Sequence, residues 1–578
     1  MLELARLKET PYVIIISKNA PKYEIHAAEE LSRFLYKISG ARFPIDFDNM
    51  KLCEYEIIIG KNRHLDMLNV EVSKEKIGNE GYLLKTIEKK LIIMGGGKRG
   101  TLYGVYSFLE EYLGCRWFTE DCSSIPKRDV IKIKELDIIF KPVLESREPY
   151  YASYPEADWN VKNKCNGNSA NLNELHGGKI VHDPFVHTFN MIISPDEYFD
   201  EHPEYFSLVK GFRVKENTQL CLTNPDVLEL TKEKIKEWIT ANPDISIISV
   251  SQNDCLNFCE CDECKKIDDY EQSHMGTMLR FVNSIAESIE KDYPDIAIET
   301  LAYVYTRKPP LYTRPHPNVI VRLCSIECCF SHPLNQCKNP LIVFDVAEGT
   351  KTGDFLNDLT EWGKICNRLY IWDYVANYSH PLMPHPNFKV LQPNIKFFIE
   401  NNVKGIFEQG YSYTGKSGEL NLLKRYILAK LLWNPDYDIE KGINEFLAGY
   451  YGLAAPMIKK YFDLLHAQIN DDVHLGLDDP PTAVYLNQKF LDQAEILFEE
   501  AKKIAENEII LQRVKTAELS IRYVKLAVMP KETSGRETLL DEFFKDILSA
   551  NIEVIRGHHL SKNPKKAEEL LRMGKFWE

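Results

Sequence analysis

VKGIFEQG, residues 403–410, decides how this chain is read. An apolar run of strand length ends there on a carboxylate, Glu408, followed by Gln409 and a chain-reversing Gly410. Short apolar runs bounded by turn residues read as buried strands. Upstream the pattern recurs in ESREPYYAS, HTFNMII, TQLCLTN, ISIISVSQND, IAIETLAYVYT, VIVRLCSIE and LYIWDYV, eight runs in all with VKGIFEQG. Between several of them lie amphipathic helical stretches, PDVLELTKEKIKEWITA and GTMLRFVNSIAESIEKDY among them. Eight strand–helix units within roughly 280 residues are the arithmetic of a TIM (β/α)8 barrel. The first two runs are irregular by propensity alone.

Outward from the barrel, assigned to residues 141–430, the pattern changes on both sides. Residues 1–140 alternate PYVIIIS, IHAAEELSRFLYKISG, YEIIIGK and KKLIIMGGG with RGTLYGVYSFLEEYLG, the rhythm of a small α/β accessory domain. Its GGG at 95–97 lacks the GK[ST] ending of a phosphate loop and reads as a tight strand-to-helix turn. Residues 431–578 are helical in period and form a C-terminal helical domain. The fold class expected is therefore α/β: accessory domain, central barrel, helical domain.

Composition excludes several functions. The 578 residues carry 44% hydrophobic and 27% charged side chains, which suits folded domains rather than disorder. Lys and Arg number 71 against 85 Asp and Glu, a net charge of −14 without a basic stripe, so nucleic acid is not an expected partner. No apolar run reaches the roughly 18 residues of a membrane helix, and the opening MLELARLKETPYVIII lacks an export signal, so a cytoplasmic protein is expected.

Chemistry in such a barrel belongs to the C-terminal ends of the strands. Several runs end on acids: Asn253 and Asp254, then Glu327, then Asp373 between Trp372 and Tyr374, then Glu408 with Gln409. Carboxylates converging beside Trp and Tyr suit a sugar site, where rings stack on pyranose faces and acids move protons. Glu408, Asp254 and Asp373 are the catalytic candidates; Trp372, Tyr374, Asn253, Glu327 and Gln409 are substrate contacts. His187 and His202, on the rim, join them as contacts rather than as acid or base. Any one acid could instead cap a helix or pair with an arginine such as Arg322. Glu408 interrupts an apolar run, and desolvation there would raise its pKa toward the value a general acid needs.

Fourteen cysteines in a chain without an export signal argue for reduced thiols. DCLNFCECDECKK gathers Cys255, Cys259, Cys261 and Cys264 directly after Asp254, spacing that a tetrahedral ion could accept. Free thiols or a local disulfide read the same residues equally well. A zinc ion held by four thiolates would be structural, and catalysis needs no cofactor. A second group, Cys324, Cys328, Cys329 and Cys337, could supply further ligands.

The motifs HTF with EHPEYFSL, QLCLTN, SVSQNDCLNFCECDECK, LYIWDY, GIFEQG and LLWNPDYD with EFLAGYYG occur in order over about residues 145–460. In these the chain resembles the bacterial family counted in part as glycoside hydrolase family 163. RGTLYGVYSFLEEYLGCRWF resembles the domain that precedes the barrel in α-glucuronidases and β-hexosaminidases. The first resemblance implies an endo-β-N-acetylglucosaminidase acting on N-glycan-type oligosaccharides by a retaining, substrate-assisted route. In it Glu408 would be acid/base, with Asp254, Asp373 and Tyr374 orienting the acetamide. The alternatives are an inverting α-glucuronidase-like hydrolase and a non-catalytic carbohydrate-binding barrel.

Overall fold

The computed structural model describes residues 1–151, 156–337, 355–411, 420–555 and 564–574. The N-terminal part is a six-stranded sheet in the order 137–140, 82–87, 90–95, 56–59, 13–16, 45–47, mixed in direction. Its strands are short apolar runs, and the helices Lys22–Ser39 and Gly100–Glu111 bury Leu31, Leu35, Tyr103 and Tyr106 over it. The GGG run is the turn expected. A Cβ on Gly95 would lie 1.9 Å from the carbonyl carbon of Gly100, so only glycine lets the helix start so close to the strand.

The central part is built on six parallel strands: β1 (Ser146–Tyr150), β2 (Ile247–Ser249), β3 (Ala297–Ala302), β4 (Val319–Cys324), β5 (Leu369–Tyr374) and β6 (Val403–Gln409). Their order, β1-β6-β5-β4-β3-β2, is that of a barrel lacking two strands. Those two are HTFNMII and TQLCLTN. HTFNMII folds as a single helical turn, Phe189–Ile192, whose two buried apolar residues are three apart, a helical spacing. TQLCLTN makes only isolated bridges, Thr218 with Asn257 and Leu220 with Phe206. Irregular chain fills the gap: Asn166 N–H donates to Arg147 O, Ile180 N–H to Asn166 O, and Ile247 N–H to Val181 O, at 3.2, 2.9 and 3.0 Å.

Alternation sorts the strand residues into two sets. Ile247, Ala297, Ile320 and Tyr370 meet inside the barrel, with Gly405 opposite because its Cβ would strike the Tyr370 ring at 2.8 Å. The next layer up is charged: Arg322 donates to Glu299 at 2.7 Å, between the rings of Phe185, Tyr370 and Phe407. The other parity, Ile298, Val321, Ile371 and Ile406, packs on the surrounding helices.

After β6 the chain is helical through Asn421–Trp433, Ile439–Tyr451, Ala455–His466, Gln488–Ile504, Glu508–Val528 and Arg536–Ser549. The first of these ends in Trp433, whose ring lies against Tyr82, Tyr103 and Phe140 of the N-terminal sheet. Around it Arg147 pairs with Glu80 at 2.6 Å, and Glu110 takes both Lys164 and Lys430. No helix among the described residues is long and apolar enough to cross a membrane.

Candidate active site

The mouth of the barrel is aromatic. Tyr150 stacks on Phe407 at 5.0 Å, Phe407 meets Trp372 at 4.8 Å, and Phe185 touches both, so four rings from β1, β5, β6 and the gap segment form a floor. Tyr150, Phe185 and Trp372 remain half-buried and present ring surface upward. Trp372 Nε1–H donates to Gln409 Oε1 at 2.6 Å, which fixes both side chains. The structure thus brings together Trp372 and Gln409, two of the residues named as candidate substrate contacts.

Across the floor lies Asp254, exposed, its Oδ1 accepting from the Tyr303 hydroxyl at 3.2 Å. Tyr303 follows β3 with the parity of Glu299 and Leu301, and that period of two is the sequence signal that identifies it. Its phenol is pushed above its ordinary value by burial and by Asp254. Gln252 Nε2 donates to Tyr303 O at 2.8 Å and to Thr306 Oγ1 at 2.9 Å, holding the turn. Two residues here have backbones in the left-handed region, His187 at φ 56° and β-branched Val304 at φ 53°. Such strain in a non-glycine residue persists where the surroundings impose it, and it collects at functional sites. His187 is held by its N–H to Ser251 Oγ at 2.9 Å and its Nδ1 against Gln252 O at 2.8 Å.

Asp373 and Glu408 are paired positions on β5 and β6. Their parity is that of Ile371 and Ile406, so they lie one layer behind the aromatic floor rather than in it, 5% and 1% exposed. Ser325 Oγ donates to Asp373 Oδ1 at 2.5 Å, while Glu408 Oε2 has no hydrogen-bond partner among the described residues. Burial pushes Asp373 up to about 6 against the Ser325 hydrogen bond. Burial and then the neighbouring Asp373 charge push Glu408 well above the carboxylate range. At neutral pH the pair thus holds a proton.

The remaining candidates divide. Tyr374 is buried beside Trp372 at 6.3 Å, and Asn253 is spent on structure, donating from Nδ2 to Asn190 Oδ1 and Thr218 O at 2.8 Å each. Glu327 is buried against Arg307 at 2.9 Å, an ion pair not aligned as a hydrogen bond; burial raises its pKa and Arg307 opposes. His202 pairs with Glu204 at 3.0 Å and stacks on Tyr205, contacts that occupy it within its own surface loop. Arg322, considered as a partner for a strand-end acid, belongs to Glu299 below the floor.

The thiols also regroup. Cys259, Cys261 and Cys264 converge, but their fourth partner is Cys221, and Cys255 is not brought to them. Cys255 Sγ instead faces Asn217 O at 3.0 Å. Of the second group, Cys329 and Cys337 meet His332 and His474, while Cys324 and Cys328 are buried elsewhere.

A family model described as "Domain of unknown function (DUF4838)" matches residues 117–463, and one described as "Glycosyl hydrolase family 67 N-terminus" matches residues 3–108. Comparison with curated proteins finds no match. Among solved structures, the chain is similar to a GH115 4-O-methyl-α-glucuronidase with specificity for decorated arabinogalactans. The TM-score is 0.60 at 12% identity, over 95% of this chain and 77% of that one. It is also similar to a GH138 enzyme targeting pectin rhamnogalacturonan II, with TM-score 0.52 at 11% identity over 93% and 74% of the two chains. At these identities the likeness establishes a fold found in glycoside hydrolases.

Proposed function

The chain belongs to the family described as a domain of unknown function, DUF4838. From that premise we propose that it is a glycoside hydrolase, a retaining, substrate-assisted endo-β-N-acetylglucosaminidase acting on N-glycan-type oligosaccharides. The observation that supports the reading is the carboxyl pair Asp373 and Glu408, buried with one unpartnered oxygen and raised affinity for protons. Such an arrangement costs stability, and buried acids held well above the carboxylate range are suited to donating a proton at neutral pH. The aromatic floor in front of it suits a pyranose face.

In this mechanism the acetamido carbonyl oxygen of the substrate attacks the anomeric carbon while the glycosidic C–O bond breaks. Glu408 gives its proton to the leaving oxygen. Asp254, hydrogen-bonded by Tyr303, accepts from the acetamide N–H and steadies the positive charge of the cyclised intermediate. Glu408 then takes a proton from water, which attacks the anomeric carbon and restores the acetamide. Holding the acetamide oxygen near the carbon makes the first step intramolecular. Glu408 is 1% exposed, so the reading requires a bound sugar to reach it past the aromatic floor.

An α-glucuronidase reading needs a cation for the substrate's uronate. Arg322 is committed to Glu299, and Arg307 to Glu327 at 2.9 Å and to Asp358 at 2.8 Å, so neither of these two arginines is free for it. The test compares a chitobiose-containing N-glycan with matched substrates lacking the acetamide, and adds a thiazoline inhibitor. Cleavage confined to the acetamido substrate and blocked by thiazoline is expected. Efficient turnover of a glucoside or 4-O-methylglucuronide without thiazoline inhibition would sink the reading.

A further inference from the structure

We propose that the chain holds two structural zinc ions, one on Cys221, Cys259, Cys261 and Cys264, the other on Cys329, His332, Cys337 and His474. In each set the ligand atoms lie within 4.8 Å of one another.

The first set is drawn from two separate stretches. Cys261 is the N-cap of helix Asp262–Glu271 and Cys264 lies in its first turn, where the helix dipole favours thiolates. Cys221 comes from the segment Leu220–Thr223, some 40 residues earlier in the chain. With Zn–S bonds of about 2.3 Å, the edge of a regular ZnS4 tetrahedron is roughly 3.8 Å. Cys221 Sγ lies 3.7 Å from Cys261 Sγ and 4.0 Å from Cys264 Sγ. Those spacings are far beyond an S–S bond of about 2.05 Å, so the sulfurs are arranged as ligands rather than as disulfide partners. Donors already point at the fourth sulfur: Leu208 N–H and Arg213 Nη1 reach Cys259 Sγ at 3.4 and 3.7 Å, the contacts that stabilise a metal-bound thiolate. The ion would tie the loop after Asp254 to the segment Leu220–Thr223, with the short hairpin Leu208–Arg213 donating hydrogen bonds to Cys259 Sγ.

The second set rests on different residues and a different geometry. For mixed ligands, with Zn–N of about 2.0 to 2.1 Å, the N–S edge is roughly 3.5 Å. His474 Nδ1 lies 3.3 Å from Cys329 Sγ and 3.7 Å from Cys337 Sγ, and His332 Nδ1 lies 3.4 and 4.0 Å from the same two sulfurs. The other ring nitrogen of His332, Nε2, faces Asn470 O at 3.0 Å, which places the proton on Nε2 and leaves Nδ1 free to bind. Cys329, His332 and Cys337 follow β4, whereas His474 belongs to the stretch between helices Ala455–His466 and Gln488–Ile504. This ion would stitch the barrel to the helical domain. Two imidazoles and two thiolates at tetrahedral spacing select zinc among common ions. No position is left open at either site, so both ions are structural.

The experiment is elemental analysis of full-length protein purified without chelator, alongside intact-mass measurement under native conditions. Two equivalents of zinc and no mass loss from disulfides are expected. Cys264→Ser should remove one equivalent and His474→Ala the other, while Cys255→Ser should leave both. Should a variant fail to fold, cobalt(II) exchange into the wild-type chain serves instead, with the absorption of tetrahedral thiolate-bound cobalt as readout. Two equivalents retained by Cys264→Ser overturn the first site, and two retained by His474→Ala overturn the second. Iron in place of zinc, disulfides among these cysteines, or a metal-free protein without cobalt absorption overturns both. None of these readouts depends on activity, so they stand apart from the proposed hydrolase.

Discussion

A carboxyl group buried beside another carboxyl is a poor way to stabilise a protein, and Glu408 shows why it matters where its proton goes. Below the ordinary carboxylate pKa both acids of the pair are neutral in the folded and unfolded chain alike, and the fold bears no charge there. Because their folded values lie above the unfolded ones, the folded state binds the extra proton, and stability falls as pH rises through about 6 for Asp373 and higher for Glu408. Thermal denaturation should therefore show wild-type Tm declining from pH 5 to pH 8, with a flatter profile for Glu408→Gln. At pH 8 that variant should be as stable as wild type or more so, by on the order of 1–2 kcal/mol, because an amide can donate to Asp373. Its turnover should drop about 10²-fold or more, since the amide has no proton to transfer. A Gln variant that is stabilised and fully active would make the pair a structural relic and remove Glu408 from the mechanism. For Tyr303→Phe, which deletes the donor to Asp254 and leaves the ring, kcat should fall by about tenfold with little change in Tm.

Elements set which of these residues can meet. A strand residue one position along faces the other way. Trp372 thus joins the mouth and Asp373 the layer behind it, although both come from LYIWDY. Helices are placed by their ends as well as by their faces. Asn224 caps helix Pro225–Ala241, accepting from the N–H groups of Asp226 and Val227 at 2.8 and 3.3 Å, and Pro225 occupies the first position where its missing N–H costs nothing. Asn224→Ala should lower stability by about 1 kcal/mol in denaturant titration, and Asn224→Gly by less. The two runs misread as strands show the limit of pattern at this scale. HTFNMII and TQLCLTN have strand composition, but β-propensity expresses how a residue fits between neighbours, and here loop polar groups take their backbone partners instead.

At the scale of the whole molecule, the accessory domain is fastened by Trp433 and by charges at the same seam. Burial works against the Glu110 carboxylate, but Lys164 and Lys430 outweigh it and hold it down to about 2. Lys430, fully buried, is pulled down to about 8 by the same burial, so the contact favours the acid, which two ammonium groups share, more than it favours this lysine. A lowered acid pKa means stability present above the unfolded value near 4.5 and lost as pH falls toward 2. Acid should thus weaken the contact that holds the N-terminal sheet progressively as pH falls from about 4.5 toward 2. Trp433→Ala should cost about 3–5 kcal/mol and make that domain the first to yield to limited proteolysis. Proteolysis that begins instead in the helical C-terminal region would show that Trp433 is not what fastens the seam.

Composition and periodicity determined much of this protein on their own. The N-terminal α/β rhythm, six of the barrel's strands, the helical C-terminal region and the acids at strand ends all follow from local rules, because burial periodicity is written into consecutive residues. Tertiary structure decided what local rules do not carry. Closure of the barrel depends on chain from 166–184 lying beside β1 and β2, contacts between residues remote in sequence. Tyr303 meets Asp254 across 49 positions, Cys221 replaces Cys255 across some 40, and His474 joins Cys329 across 145. A ligand set or a hydrogen-bonded pair is a property of position in space, and spacing along the chain reports it only when all its members lie on one turn or one loop.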